Sequence, residues 1–212
     1  MKRMEEHFNL EAEKHDSYFL DELGMKEFYD EIESQLNKNQ YKKILVLGCG
    51  SGLEVERIKY KASVTAVDIS ENMLEKLKEK KLHPKVTLNT ICGSFLDLDF
   101  SEAAYDLVLS CYAMHHFNEE QKIDLYKKIN RSLKSGGIFL NGDSMSKDKE
   151  EEKKKFEHAL KVYESENIPF GSLHIDVHFT YNHELQVLKQ SGFNKVLLER
   201  EWSKTKLYRA CK

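Results

Sequence analysis

Three glycines at alternate positions, Gly48, Gly50 and Gly52, follow the apolar run Ile44-Leu45-Val46-Leu47, and Asp68 closes the next apolar run twenty residues after Gly48. Each residue type has a chemical use there. Glycine adopts left-handed backbone angles and has no side chain to collide with a ligand lying on the backbone. A carboxylate at that spacing accepts both hydrogens of a ribose diol. Together they point to an adenosine-containing cofactor. A dinucleotide fingerprint wants a third small residue at the sixth position of G-x-G-x-x-G, and Leu53 stands there instead. That turns the pattern away from hydride-transfer cofactors.

A second group of reactive side chains lies far downstream, in Gly-Ser-Leu-His-Ile-Asp-Val-His-Phe-Thr (171–180). His174, Asp176 and His178 alternate, so an extended chain would point all three to one face. Three readings stay open. Asp176 could orient His174 as a base or substrate anchor, the three could ligate a metal such as zinc, or they could be polar residues of a lid. His174 and Asp176 are taken as the catalytic candidates, and no metal site is assigned. Tyr112, His115 and His116 form a further polar group after an apolar run at 105–110.

Elements must hold these residues in place. Met25, Phe28, Tyr29, Ile32 and Leu36 recur at helical spacing over 25–36. The continuously apolar 43–47 reads as a parallel strand covered on both faces, with a helix opening around Leu53. A second strand spans 63–67, followed by a helix that Ser70 caps and that buries Met73, Leu74 and Leu77. Strands follow at 85–90 and 105–110. Asn118 and Gln121 form a capping box for a helix burying Ile123, Tyr126, Ile129 and Leu133. Ser135-Gly136-Gly137 reads as a turn before a fifth strand from Ile138. The rhythm then breaks into an insertion with one helix, whose Phe156, Ala159, Leu160 and Tyr163 should face inward. A helix near 181–190, stopped by Gly192, and strands near 195–200 and 205–211 end the chain. Strands alternating with helices imply an α/β fold: a doubly wound, mostly parallel seven-stranded sheet with a C-terminal antiparallel hairpin.

The motif series resembles the class I, seven-stranded S-adenosylmethionine-dependent methyltransferases, specifically over 41–143 and more loosely over 179–212. Its carriers are I-L-V-L-G-C-G-S-G (44–52), V-T-A-V-D-I-S (64–70), C-G-S-F-L-D-L-D-F (92–100), Y-D-L-V-L-S-C-Y-A-M-H-H-F (105–117), L-K-S-G-G-I-F-L (133–140) and L-K-Q-S-G-F (188–193). The resemblance implies S-adenosyl-L-methionine as cofactor and methyl transfer as activity. It sets Gly48, Cys49 and Gly50 against the methionine part, Asp68 on the ribose and Ile69 over adenine. It also implies Ser94 and Phe95 at the adenine edge, and Ser110 and Cys111 facing the sulfonium through backbone carbonyls. Two positions depart from the family. Val46 stands where an acid usually approaches the cofactor's amino group, and Ser94 replaces an aspartate.

The 212 residues suit a single domain. It divides into an N-terminal helical cover (1–40), a cofactor-binding core (41–143), a substrate-cover insertion (144–178) and a last helix with hairpin (179–212). Aromatics at Phe8, Tyr18, Phe19, Phe28 and Tyr29 suit the cover. Thirty-three basic against 36 acidic residues give a net charge of −3, so nucleic acid is not the expected partner. Nor does an N-P-P-Y-type motif follow the fourth strand, as an enzyme acting on DNA bases would show. No apolar run could span a bilayer. Four cysteines without a C-x-x-C pair, and a charged N-terminus without a leader, suit reduced thiols and a cytoplasmic location. The expected acceptor is a small molecule methylated at O, N or S, with the protein a monomer or homodimer. An RNA or protein acceptor and a non-catalytic cofactor-binding regulator are the alternatives.

Overall fold

The computed structural model describes residues 3–212. Its centre is a seven-stranded sheet in the order β3-β2-β1-β4-β5-β7-β6. The strands are β1 (Lys43–Leu47), β2 (Ala62–Asp68), β3 (Val86–Cys92), β4 (Tyr105–Cys111), β5 (Leu133–Ser144), β6 (Lys195–Trp202) and β7 (Thr205–Cys211). The first five run parallel. Only β7 is antiparallel to its neighbours β5 and β6, so the expected C-terminal hairpin is present, turned at Ser203-Lys204.

Alternation along β1 explains its unbroken apolar run. Leu45 and Leu47 enter one core, and Ile44 and Val46 the other. On the first face lie α5 (Glu119–Ser132), α6 (Lys149–Glu166) and α7 (Tyr181–Gln190), with Tyr126, Ile129, Tyr163 and Leu188 buried. The opposite face receives Phe28, Ile32 and Leu36 of α3 (Lys26–Asn39), and Leu74 and Leu77 of α4 (Glu71–Glu79). Helix caps fall where the side chains predict. Ser70 Oγ accepts the Met73 N–H, and Asn118 with Gln121 closes a capping box on α5. At the chain start, α1 (Met4–Glu11), the single turn α2 (His15–Ser17) and a wider turn at Tyr18–Glu22 lie over the carboxyl end of the sheet.

Three local expectations are corrected. After Gly52 no α-helix forms; the chain makes turns and one 3-10 turn at Val55–Arg57, because nine residues must both bury Leu53, Val55 and Ile58 and return to β2. Ser135-Gly136-Gly137 does not precede a strand but is a bulge within β5, which begins at Leu133; Tyr105 pairs Leu133 while Leu107 pairs Ile138. On α6, Ala159 and Tyr163 face inward but Phe156 and Leu160 are exposed, since only one side of that helix meets the body. Among the described residues, no helix is long and apolar enough to cross a membrane.

Gly142, in β5, shows how tightly α3 is seated. A Cβ there would lie 2.4 Å from Phe28 Cζ, and Phe28 is itself buried. Gly142→Ala is expected to cost about 1–3 kcal/mol by overpacking, read as a lower urea midpoint with an unchanged slope. An unaltered midpoint would show that α3 can shift freely.

Candidate functional site

In an open α/β sheet a ligand sits beyond the strands' carboxyl ends, where the chain order reverses. Here that point lies between β1 and β4, and a cavity opens there. Its floor is the turn after β1. Gly48 has φ +65°, and a Cβ on it would come 2.6 Å from Ala113 Cβ. The Gly48 and Cys49 N–H groups donate to Val67 O, at 2.9 and 3.1 Å, which ties the turn to β2. Asp68, at the end of β2, is buried. Its Oδ2 accepts from the Gly50 N–H at 2.7 Å and its Oδ1 from the Ser70 N–H at 2.9 Å. Burial raises its pKa, and those backbone donors pull the other way.

Eight of the nine expected cofactor residues line this cavity: Gly48, Cys49, Gly50, Asp68, Ile69, Ser94, Phe95 and Cys111. Ser110 does not. It is fully buried in β4, and its Oγ donates to Leu47 O at 2.9 Å, so it fastens β4 to β1 behind the cavity. The N-terminal segment closes the top with Met4, Phe8, His15 and Phe19. His15 is held there by Ser51 Oγ at 2.8 Å. Asp16, bonded to Ser51 and Lys80, keeps its carboxyl well below the usual range despite burial. Of the N-terminal aromatics, Phe8, Phe19 and Tyr29 line the cavity, Phe28 packs in the core and Tyr18 is exposed.

Two further residues stand in the wall: Tyr112, from the polar group expected after β4, and Glu54, which the sequence reading did not single out. Tyr112, just after β4, holds a left-handed φ of +54°, and its hydroxyl meets Thr205 Oγ1 at 2.9 Å. Glu54 is 3% exposed, lines the cavity, and its Oε1 is buried without a hydrogen-bond partner. Burial pushes its pKa up to about 8, although Arg57 and backbone donors oppose the shift. In sequence Glu54 looks like a solvent-facing acid in a helix's first turn. Only the missing helix turns it inward. Val46, at the position of the absent family acid, is fully buried in the apolar core.

The second polar group gathers beside this cavity. The 171–180 segment is irregular rather than a strand, so its one-face alternation is not what unites it. His178 is buried, His174 partly buried and Asp176 exposed. Asp176 is nevertheless the hub. Its Oδ1 lies 3.6 Å from both His115 Nε2 and His116 Nδ1, and its Oδ2 3.9 Å from His178 Nε2. No direct hydrogen bond joins His174 to Asp176 among the described residues; His174 stacks on His7 at 3.8 Å and lies 4.9 Å from His116, ring to ring. Histidine and aspartate do form one close pair, but it is His115 Nδ1 with Asp143 Oδ1 at 2.5 Å. Burial opposes the charged imidazole, yet Asp143 and Asp176 hold the His115 pKa above its ordinary value. Burial, then its histidine neighbours, push His116 well down. Burial and the charges of His115 and Lys155 take His178 to about 4. Asp143 was missed in sequence, though an acid at the carboxyl end of β5 was the available signal. His116 reaches the cavity wall; His174, Asp176 and His115 lie behind it.

A glycine turn and a buried acid at adjacent strand ends, under a seven-stranded sheet with one reversed strand, define an α/β protein built to hold a nucleoside-bearing cofactor. A methyltransferase-domain family model matches residues 44–137. The chain is 28% identical over 177 residues to an uncharacterized methyltransferase of Staphylococcus carnosus, covering 81% of this chain and 80% of that one. It is 32% identical over 143 residues to the malonyl-[acyl-carrier protein] O-methyltransferase of Priestia megaterium, covering 65% of this chain and 49% of that one. An uncharacterized methyltransferase of Oceanobacillus iheyensis is 28% identical over 64% of this chain and 62% of its own. Several of these curated relatives are thus matched over only about half to three-fifths of their length. The fold is shared with a DhpI–SAH complex, at TM-score 0.73 and 15% identity over 98% of this chain and 93% of that one. It is also shared with human N-acetylserotonin methyltransferase in complex with SAM, at TM-score 0.63 and 15% identity over 87% and 51%. Residues 44–137 thus match a methyltransferase domain, carried on the fold of S-adenosylmethionine-dependent methyltransferases.

Proposed function

We propose that the protein transfers a methyl group from S-adenosyl-L-methionine to an O, N or S atom of a small-molecule acceptor. The observation that carries this is the covered cavity, which brings eight of the nine residues expected to hold the cofactor into one wall. The wall also fits the group chemically. It offers a backbone cradle that a Cβ on Gly48 would fill, a buried acid at the end of β2, and a buried carboxyl oxygen without a partner at Glu54. Asp68 receives the ribose hydroxyls, Ile69 covers adenine, and Ser94 and Phe95 meet its edge. Gly48, Cys49 and Gly50 lie along the methionine part, with Cys111 near its sulfur. Glu54 takes the ammonium that Val46 cannot.

The bound cofactor supplies a methyl group on a sulfonium, already an excellent leaving group. The chain's task is therefore mainly to position the acceptor and exclude water. Phe8, Phe19 and Tyr29 shape the apolar cover, so residues 1–40 act as lid and 144–178 as the second wall. His116 is the imidazole that faces the acceptor, and the candidates His174 and Asp176, behind it, act as positioning groups. A small acceptor is favoured because the cavity is covered by the chain's own N-terminal segment. The name of one relative, a malonyl-[acyl-carrier protein] O-methyltransferase, supports transfer onto oxygen.

Asp68→Ala tests the reading. Calorimetric titration with S-adenosylhomocysteine should show affinity reduced tenfold or more, because two hydrogen bonds to a charged group are lost. Equal affinity would remove Asp68 from the ribose, and no binding by the native chain would overturn the function. Release of S-adenosylhomocysteine with a panel of small acceptors, set against bulk tRNA and protein, then identifies the acceptor class.

A further inference from the structure

The histidine and aspartate side chains beside the cavity are more numerous than methyl transfer from a sulfonium requires. We infer that His116, His174 and Asp176 form a binding site for a divalent transition metal such as zinc, on the acceptor side of the cavity. The ligand atoms of these three residues lie within 4.8 Å of one another, and His116 Nδ1 is already 3.6 Å from Asp176 Oδ1. With metal–ligand bonds of about 2.0–2.1 Å, each atom would need to move by only about 1 Å to close a tetrahedral face. The separation of 3.6 Å is too long for a hydrogen bond and near the spacing of two ligands on one ion.

The independent sign is His116. It is buried, and its Nδ1 has no hydrogen-bond partner. An orphaned buried nitrogen is costly unless something binds it. A second arrangement, His115, Asp176 and His178, also converges, through the Nε2 atoms that face Asp176. There the His178 ring meets Lys155 Nζ at 2.6 Å through Nδ1, which sets a competing ammonium beside a would-be ligand, and among the described residues neither ring has a buried nitrogen without a partner as His116 does. Among the described residues, no lysine or arginine lies at hydrogen-bond distance of His116 or His174. Instead Phe8 packs edge-on to both rings, and His7 stacks on His174, which shields the two imidazoles while Asp176 meets solvent.

Three protein ligands leave a fourth position open, as in catalytic rather than structural zinc sites. Because His116 also lines the cavity, that position would take an acceptor hydroxyl or thiol and lower its pKa. This placement on the acceptor side rests on the methyl-transfer reading, and it narrows the acceptor to molecules offering oxygen or sulfur.

The test uses the full chain, stripped with a chelator and titrated with zinc chloride by calorimetry, with cobalt(II) absorption as a geometric readout. One equivalent should bind with a micromolar or tighter Kd, and cobalt should give the intense visible bands of a tetrahedral site. His174→Ala, at a partly exposed position, should weaken binding tenfold or more. His116→Ala should do the same, with circular dichroism confirming its fold. His178→Gln should stay within threefold of the native chain. Absence of saturable binding overturns the site, as does loss of binding in His178→Gln with His174→Ala unaffected. S-adenosylhomocysteine titrated into the same preparation separates the two readings. Binding of S-adenosylhomocysteine by a chain that fails to bind added zinc overturns the metal site alone, while zinc binding by a chain that fails to bind S-adenosylhomocysteine upholds the metal and overturns the methyl-transfer function.

Discussion

Glu184→Ala is expected to lower the unfolding free energy by about 3–5 kcal/mol, the cost of leaving a buried charge without its partner. Glu184 on α7 and Lys122 on α5 are almost wholly inaccessible, and Lys122 Nζ lies 2.7 Å from Glu184 Oε2. The other carboxylate oxygen accepts from Tyr126 and, at 2.9 Å, from Tyr208. Tyr208 in turn accepts from Asn141 Nδ2 at 2.7 Å. Removing the carboxylate takes the ion-pair partner from a buried ammonium and the acceptor from two phenols, with the Phe179 ring 3.9 Å from Nζ as a weak substitute. Replacing both partners, Lys122→Met with Glu184→Leu, should restore most of the loss, because the penalty comes from the unpaired charge and not from the missing attraction. Urea unfolding of the single and double variants decides it. A single-variant loss below about 1 kcal/mol would show that water reaches the ammonium. Since α7 directly follows 171–180, a loosened α7 should also make His174 and Asp176 more mobile.

The second large effect concerns Glu54, where stability and binding should move in opposite directions. With its pKa raised to about 8 in the folded protein against about 4.3 in the unfolded chain, the native state holds a proton that the unfolded state has released. Stability contributed by that proton is complete below the unfolded value and is lost as pH rises toward 8. Glu54→Gln keeps the shape without the titration. At pH 7 it should therefore be more stable than the native chain by roughly 3 kcal/mol, with the difference vanishing near pH 4. The same variant should bind S-adenosylhomocysteine about tenfold or more weakly while binding 5′-methylthioadenosine, which has no ammonium, as well as the native chain does. Thermal melts across that pH range and paired titrations test both halves. Equal melting temperatures would place water at Glu54, and parallel losses for both ligands would remove it from the ammonium.

Sequence alone determined the scaffold and the cofactor wall. The apolar runs at 43–47 and 105–110 had to be covered on both faces, so they had to lie in the middle of a parallel sheet. The alternate glycines and Asp68 end neighbouring strands, and pairing of Leu47 with Val67 carries that linear spacing directly into spatial contact. Such features are legible because backbone geometry fixes them within one or two elements. Residues brought together from distant elements were not legible. Glu54 became a buried wall residue only because the helix expected after Gly52 is replaced by turns. His115 found Asp143 rather than a partner in 174–178, because β4 and β5 lie side by side. Asp176 gathers imidazoles from two segments sixty residues apart, although the segment that carries it is not a strand. Local periodicity records which face of an element is apolar. Which charges meet across the sheet's end is decided by the packing of whole elements, and no spacing in the chain encodes it.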